Sequence, residues 1–290
     1  MADTLYRGRF APSPTGPLHF GSLVTALASY LEARIHQGQW LVRIEDLDPL
    51  RESPEATDSI LHSLTCHGLI PDAPVRFQSA RHDAYKTAIE QLLSDGLAYR
   101  CACSRKQLQQ QQGKHPEHCR EGHTEPGNRP FAIRFALRDE TSHWPDDLLG
   151  PQTQRVTAEV DDPVILRKEG FYAYQLAVVV DDIDQGITDV VRGSDLLDMT
   201  AQQQQIYRAL GATPPNWLHI PVILNEEGQK LSKQNRAPAL DDRQPAANLI
   251  AALEALGQRP PADLNQQPVV NILTWATRHW QREAIPLTSR

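Results

Sequence analysis

Apolar residues recur at helical spacing between Phe20 and Ile35, where Leu23, Leu27, Tyr30, Leu31 and Ile35 share one face. Ahead of them, Tyr6 to Ala11 reads as a short strand, and the Pro- and Gly-rich stretch Pro12 to Pro17 supplies a turn. Trp40 to Ile44 is a second apolar run, so the opening predicts a βαβ unit with a parallel sheet and a right-handed crossover. Ser53 followed by Pro54 predicts a helix start, Ile60, Leu61 and Leu64 its buried stripe, and Gly68 its end. Further helices are expected over Ser79–Gly96, Thr200–Leu210 and Ala246–Leu256. The continuous run Ala177 to Val180, rich in β-branched residues and closed by Asp181, reads as a strand buried on both faces. Ile220 to Leu224 reads as another strand.

Periodicity fails between residues 100 and 130, where Cys101, Cys103 and Cys119, three histidines and the glutamine run Gln109–Gln112 replace it. The pattern predicts an α/β chain in four parts. Residues 1–99 form the first half of a nucleotide-binding domain, 100–167 an inserted metal-bearing subdomain, 168–235 the second half with a lysine loop, and 236–290 a short helical C-terminal region.

Composition narrows the partners. The 290 residues carry 29 Lys+Arg against 36 Asp+Glu, a net charge of −7, which argues against a protein that coats nucleic acid through global charge. Any RNA must be met locally, and neither DNA nor a membrane is expected as a partner. No apolar run reaches the length of about 18 residues that a span needs, and the start lacks a signal-peptide core, so the expected location is cytoplasmic. Four cysteines, three of them clustered, suggest a metal site before a disulfide framework. Cys66, with Leu61 and Leu64 as helical neighbours, is expected to be a small core residue.

Three constellations could carry chemistry. At the junction of the first strand and helix, backbone N–H groups and the helix dipole attract phosphate; Gly21 leaves room for a base or ribose, and His19 can donate to phosphate oxygens. After the turn Asn225 to Gly228, Lys230 and Lys233 in Lys230-Leu231-Ser232-Lys233-Gln234 are placed to neutralise a triphosphate and the charge developing on a leaving pyrophosphate. Finally, Cys101, Cys103, His115 and Cys119 offer three thiolates and an imidazole, a set suited to one structural, tetrahedral zinc ion; His118 or His123 are alternatives to His115.

Taken together and in order, HFGS at 19–22 and KLSKQ at 230–234 resemble the HIGH and KMSKS signatures of class I aminoacyl-tRNA synthetases. The resemblance narrows to glutamyl-tRNA synthetases through Arg43-Ile44-Glu45-Asp46-Leu47-Asp48, Gln78-Ser79-Ala80-Arg81, Ala98-Tyr99-Arg100-Cys101-Ala102-Cys103 and the block from Tyr174 to Asp195. It implies a Rossmann-like catalytic fold that uses ATP with Mg²⁺. It also implies that Arg9 and Arg192 hold substrate carboxylate, that Glu45 binds the α-ammonium, and that Ser13 and Tyr174 complete the pocket. The planar guanidinium fork suits a carboxylate. Ser22 stands where the first signature has its second His, and Leu231 where the second has Met.

Only residues 235–290 follow the lysine motif, enough for a small stem-contact helical piece and too few for the anticodon-binding half of a complete glutamyl-tRNA synthetase. This shortened plan resembles the glutamyl-Q tRNA(Asp) synthetases. His115 stands where that group commonly carries Tyr. The resemblance implies tRNA-independent activation of glutamate to glutamyl-adenylate, then transfer to the queuosine base at the wobble position of tRNA(Asp), with the anticodon stem-loop as the part engaged. Asp181, Asp182 and Asp184 are candidates for assisting near the site or for turn and capping roles. The competing readings are a non-catalytic, RNA-binding paralogue, against which Lys233, Glu45 and Arg192 speak, and a glutamate-activating ligase for another acceptor.

Overall fold

The computed structural model describes residues 5–110, 117–120, 130–158, 160–225, 227–231 and 237–288. Strand β1 (Arg7–Phe10) leads through the Pro/Gly turn into helix α1 (Phe20–Ile35) and strand β2 (Gln39–Ile44), with β1 parallel to β2 from Arg7↔Gln39 to Phe10↔Val42. The βαβ expectation holds. Helix α2 (Pro54–Cys66) begins where Ser53 accepts the N–H of Ala56 in its Oγ, 3.1 Å away, and β3 (Arg76–Phe77) extends the sheet beside β2. Helix α3 (His82–Ser94) follows.

The next stretch carries β4 (Ala98–Cys101), α4 (Arg105–Gln110), α5 (Glu117–Arg120) and β5 (Ala132–Phe135), then β6 (Glu140–Asp146), β7 (Gly150–Val156) and β8 (Val164–Leu166). β4, β5 and β8 form a small antiparallel sheet of their own. β6 and β7 instead join β10 (Asn216–Ile220) and β9 (Asp189–Gly193) in the order β7-β6-β10-β9, with β10 parallel to both β9 and β6. The β1-β2-β3 sheet and the four-stranded sheet meet at β1, where Thr188 N donates to Arg7 O at 3.0 Å and Arg7 N donates to Thr188 Oγ1 at 2.8 Å.

Ala177 to Val180 lies inside helix α6 (Tyr174–Gln185), which corrects the strand expectation. Leu176 through Asp182 are all buried, so apolar and β-branched residues occur on every side of this turn and imitate a two-sided strand. Gly186, at φ 61°, ends the helix in the left-handed region where glycine carries no Cβ penalty. The strand expected at Ile220–Leu224 is displaced: β10 ends at Ile220, and Leu224 is bridged to Lys230 in a hairpin. Cys66 is half-buried, its Sγ 3.4 Å from His62 Nε2, and not a core residue.

Helices α7 (Thr200–Ala209), α8 (Pro245–Ala255) and α9 (Val269–His279) complete the chain. α8 and α9 cover α1, burying Leu249, Leu253, Ile272 and Leu273 in the same core as Leu23, Leu27 and Trp40. Glu32 of α1 is buried and accepts Trp280 Nε1 at 2.7 Å and Arg282 Nε at 3.0 Å, which ties the C-terminal segment to the first helix. Among the described residues, no helix is long and apolar enough to cross a membrane.

Candidate active site

A cavity of about 680 Å³ opens where β1 and β9 end, beside the start of α1 and the Ile223–Leu231 hairpin. Carboxyl ends of parallel strands are where open α/β sheets bind ligands. Arg9, Ser13, His19, Gly21, Glu45, Tyr174, Arg192 and Lys230 all line this one space. Lys233 lies outside the described residues.

His19 caps α1: its Nδ1 accepts the Ser22 N–H at 3.2 Å. That leaves the proton of a neutral ring on Nε2, which lies 3.1 Å from Ser22 Oγ and is the atom able to donate toward a phosphate. A Cβ built on Gly21 would stand 3.3 Å from two atoms of the His19 ring and 3.7 Å from Leu231 O, so glycine keeps open the passage between the two signature segments. The hairpin carrying Lys230 is closed by Leu231 N donating to Ile223 O at 2.7 Å and by Asn225 Oδ1 accepting Gln229 N at 2.8 Å. Lys230 Nζ pairs with Asp195.

Arg9 and Arg192 face the cavity from buried positions, each anchored by the protein. Arg9 directs Nε and Nη2 at Asp182, 3.2 Å from Oδ1 and Oδ2 respectively, which leaves Nη1 outside the pair. Arg192 donates Nε to His219 Nε2 (2.9 Å), Nη1 to Gln203 Oε1 (2.7 Å), and Nη2 to Thr200 Oγ1 (2.9 Å) and Leu196 O (3.2 Å). Its guanidinium also rests over the Trp217 ring, 4.5 Å from the centroid. The Tyr174 hydroxyl is a further hydrogen-bond partner of this guanidinium.

Glu45 is buried, and its Oε1 makes no hydrogen bond. Arg43 Nη2 stands 3.7 Å away. Burial raises the Glu45 carboxyl to about 7 against the pull of Arg43 and Arg9. A buried carboxylate with an unused oxygen, on the wall of a cavity, is built to receive a cation. Bound ammonium would supply the missing partner.

Behind these lie the acids that the sequence offered either as helpers near the site or as turn and capping residues, with pairings it did not show. Asp181 and Asp182 are neither turn nor capping residues: within α6, Asp182 accepts from Arg9 and, at 2.8 Å, pairs with Arg43 Nη1, while Asp181 accepts Gln78 Nε2 (2.9 Å), Arg81 Nε (3.1 Å) and the Tyr85 hydroxyl (2.6 Å). Asp184 pairs with Arg76 and Arg81 at the surface. Acids inside an apolar helical run are the signal that could have found this network, since buried carboxylates need buried cations. Deeper still, Asp146 Oδ2 lies 2.6 Å from His219 Nδ1. Burial holds the His219 imidazole below its ordinary value, which favours the neutral ring.

Away from the cavity, the reactive atoms of Cys101, Cys103 and Cys119 lie within 4.8 Å of one another, with Cys103 and Cys119 Sγ 3.6 Å apart. Burial and the neighbouring thiols push Cys119 up to about 12. Three crowded sulfurs at that spacing fit one thiophilic cation, which would take them as thiolates. The turn carrying Cys119 is fixed by Arg120, whose Nε donates to buried Asp162 at 2.9 Å, and the backbone around Cys103 by Lys168 Nζ, 2.9 Å from Cys103 O. The fourth-ligand candidates His115 and His123, and the side chain of His118, lie outside the described residues.

A family model described as tRNA synthetases class I (E and Q), catalytic domain, matches residues 6–248. The chain is similar to a Pseudomonas aeruginosa protein named glutamyl-Q tRNA(Asp) synthetase, with 50% identity over 282 residues, 97% of this chain and 95% of the relative. A Photobacterium profundum protein of the same name is 47% identical over 284 residues, 98% of this chain and 91% of its own. Among solved structures, a glutamate tRNA ligase from Elizabethkingia meningosepticum in complex with its amino acid matches with a TM-score of 0.78 at 26% identity, covering 97% of this chain and 66% of that one. The chain therefore belongs to the class I tRNA synthetases for Glu and Gln and, within them, to the glutamyl-Q tRNA(Asp) synthetase group.

Proposed function

We propose that this protein activates glutamate with ATP to glutamyl-adenylate without tRNA, then transfers the glutamyl group to the queuosine base at the wobble position of tRNA(Asp). The carrying observation is the convergence of Arg9, Arg192, Glu45 and Tyr174 with His19 and Lys230 on one cavity. In this reading Arg9 and Arg192 hold substrate carboxylate, Glu45 the ammonium, and Ser13 and Tyr174 the remaining polar groups. A glutamate carboxylate oxygen attacks the α-phosphorus of ATP, and pyrophosphate leaves toward Lys230 and Lys233 while His19 donates to phosphate oxygens. A hydroxyl of the modified base then attacks the acyl-adenylate and AMP departs. No protein nucleophile takes part.

Mg²⁺ arrives with the ATP phosphates. Zinc has a structural role: Cys101, Cys103, Cys119 and His115 would hold it, fixing a subdomain with little core of its own. The plan keeps the four-part division given above as its own reading, with the anticodon stem-loop of tRNA(Asp) as the macromolecular partner.

Glutamate-dependent pyrophosphate exchange, followed by transfer of labelled glutamate to tRNA(Asp) with and without queuosine, tests the proposal. Exchange without tRNA and label only on the queuosine-bearing tRNA are expected; label on unmodified tRNA overturns base glutamylation. Arg192→Ala should raise the glutamate requirement and leave ATP affinity nearly intact.

A further inference from the structure

The proposed carboxylate-holding Arg192 has a second layer of support that no feature of the sequence announced. Its Nε donates to His219 Nε2 at 2.9 Å, and His219 Nδ1 stands 2.6 Å from Asp146 Oδ2. All three side chains are buried. Asp146 is itself fixed: Oδ1 accepts the N–H of Leu148 and Leu149 at 3.1 and 2.9 Å in the turn between β6 and β7, and the His219 N–H lies 3.2 Å from Oδ2. β6 and β10 are adjacent parallel strands, so the sheet sets the distance between Asp146 and His219.

The proton positions follow from donor chemistry. An arginine N–H can only donate, so His219 Nε2 must accept. The ring proton then sits on Nδ1 and is given to Asp146, which, as a carboxylate, can only accept. One tautomer satisfies both bonds. The ring stacks near Trp217, with centroids 6.1 Å apart and planes 17° from parallel, and Trp217 in turn carries the Arg192 guanidinium.

We infer that Asp146 and His219 are positioning residues: Asp146 locks the His219 tautomer, and His219 thereby orients the guanidinium of Arg192 toward the amino acid substrate. The inference rests on the glutamate-activation reading and deepens it. Neither residue lines the cavity. Rotation of Arg192 about its last bonds would direct other hydrogens into the cavity, so the pair sets which N–H the substrate meets.

Asp146→Asn is the sharpest test. With Oδ1 retained by the two turn amides, the new amide nitrogen faces His219 Nδ1 and donates to it. The ring proton is driven to Nε2, where donor meets donor at Arg192. Glutamate-dependent pyrophosphate exchange of the full chain should show the glutamate KM raised by about tenfold or more with the ATP KM within about twofold. His219→Leu should behave alike, whereas His219→Gln, which restores an acceptor opposite Arg192 Nε, should recover most of the loss. Nitrogen-15 NMR of the unaltered protein should place the ring proton on Nδ1, which keeps the inference testable even where a variant fails to fold. A proton found on Nε2, or folded Asp146→Asn and His219→Leu variants with unaltered glutamate KM, overturns the inference alone. Absence of glutamate-dependent exchange in the unaltered chain overturns the glutamate reading and this inference with it.

Discussion

Arg9 and Asp182 form a two-point pair, Nε to Oδ1 and Nη2 to Oδ2 both at 3.2 Å, across 173 residues of sequence and inside a buried site. Asp182 also serves Arg43 and the Tyr207 hydroxyl. Removing one partner of such a group leaves uncompensated buried charge, so Asp182→Ala should lower unfolding free energy by about 3–5 kcal/mol. Arg9 and Arg43 overcome burial and hold the Asp182 carboxyl below the ordinary range, so its contribution is present above that range and lost as pH falls through the folded value. Urea unfolding of the variant at neutral pH checks the claim; an unchanged midpoint refutes it.

Glu45 moves the other way. Its carboxyl is raised to about 7, so the folded protein keeps this proton more tightly than the unfolded chain does. The contribution to stability is full below the unfolded value of about 4.5 and is lost as pH rises toward 7. An ammonium ligand reverses the preference, since it needs the carboxylate. Glutamate affinity should therefore weaken as pH falls below about 7 while ATP affinity holds, and Glu45→Gln should bind glutamate weakly with a flat pH profile. Calorimetric titrations between pH 6 and 8 decide this: a flat profile in the unaltered protein counts against Glu45 as the ammonium site.

Gly21→Ala should separate folding from binding. A methyl group suits the first turn of α1, where alanine is favoured over glycine by about 1 kcal/mol in helix interiors. The same methyl sits 3.3 Å from the His19 ring and narrows the way to Leu231. The expected result is unchanged or higher thermal stability with an ATP KM raised several-fold. Unaltered ATP kinetics would mean that the nucleotide does not pass over Gly21.

Cys101→Ser should leave less than one zinc per chain by elemental analysis and lower the melting temperature, because a structural metal contributes directly to folding. Full retention of zinc would refute the ligand set. Parallel His115→Ala, His118→Ala and His123→Ala proteins identify the fourth donor by which of them loses metal.

Much of the architecture was readable from the chain. Helix α1 and its flanking strands followed from periodicity, and α2 from Ser53-Pro54, because local caps and amphipathic stripes act within a few residues. Helix α6 was not, since burial from several sides erases the amphipathic contrast on which such readings depend. The cavity-lining side chains were named through ordered motifs, and the structure brings the described ones together. Their partners were invisible for a different reason. Asp182 lies 173 residues from Arg9, and His219 lies 73 residues from Asp146, so only the sheet and its covering helix make them neighbours.

That covering helix has one more consequence. Because α6 brings Asp182 to Arg9 and Arg43 from the protein side, those two guanidinium groups are balanced within the protein, whereas Arg192, held by His219, Gln203 and Thr200, keeps its charge for an anion. Glutamate, with a net charge of −1, then meets a buried guanidinium that bulk salt screens poorly, so its uptake should depend only weakly on ionic strength, whereas contacts made to a polyanion weaken steeply as salt rises. Salt would thus separate the buried, amino acid end of the site from any contact made at its surface.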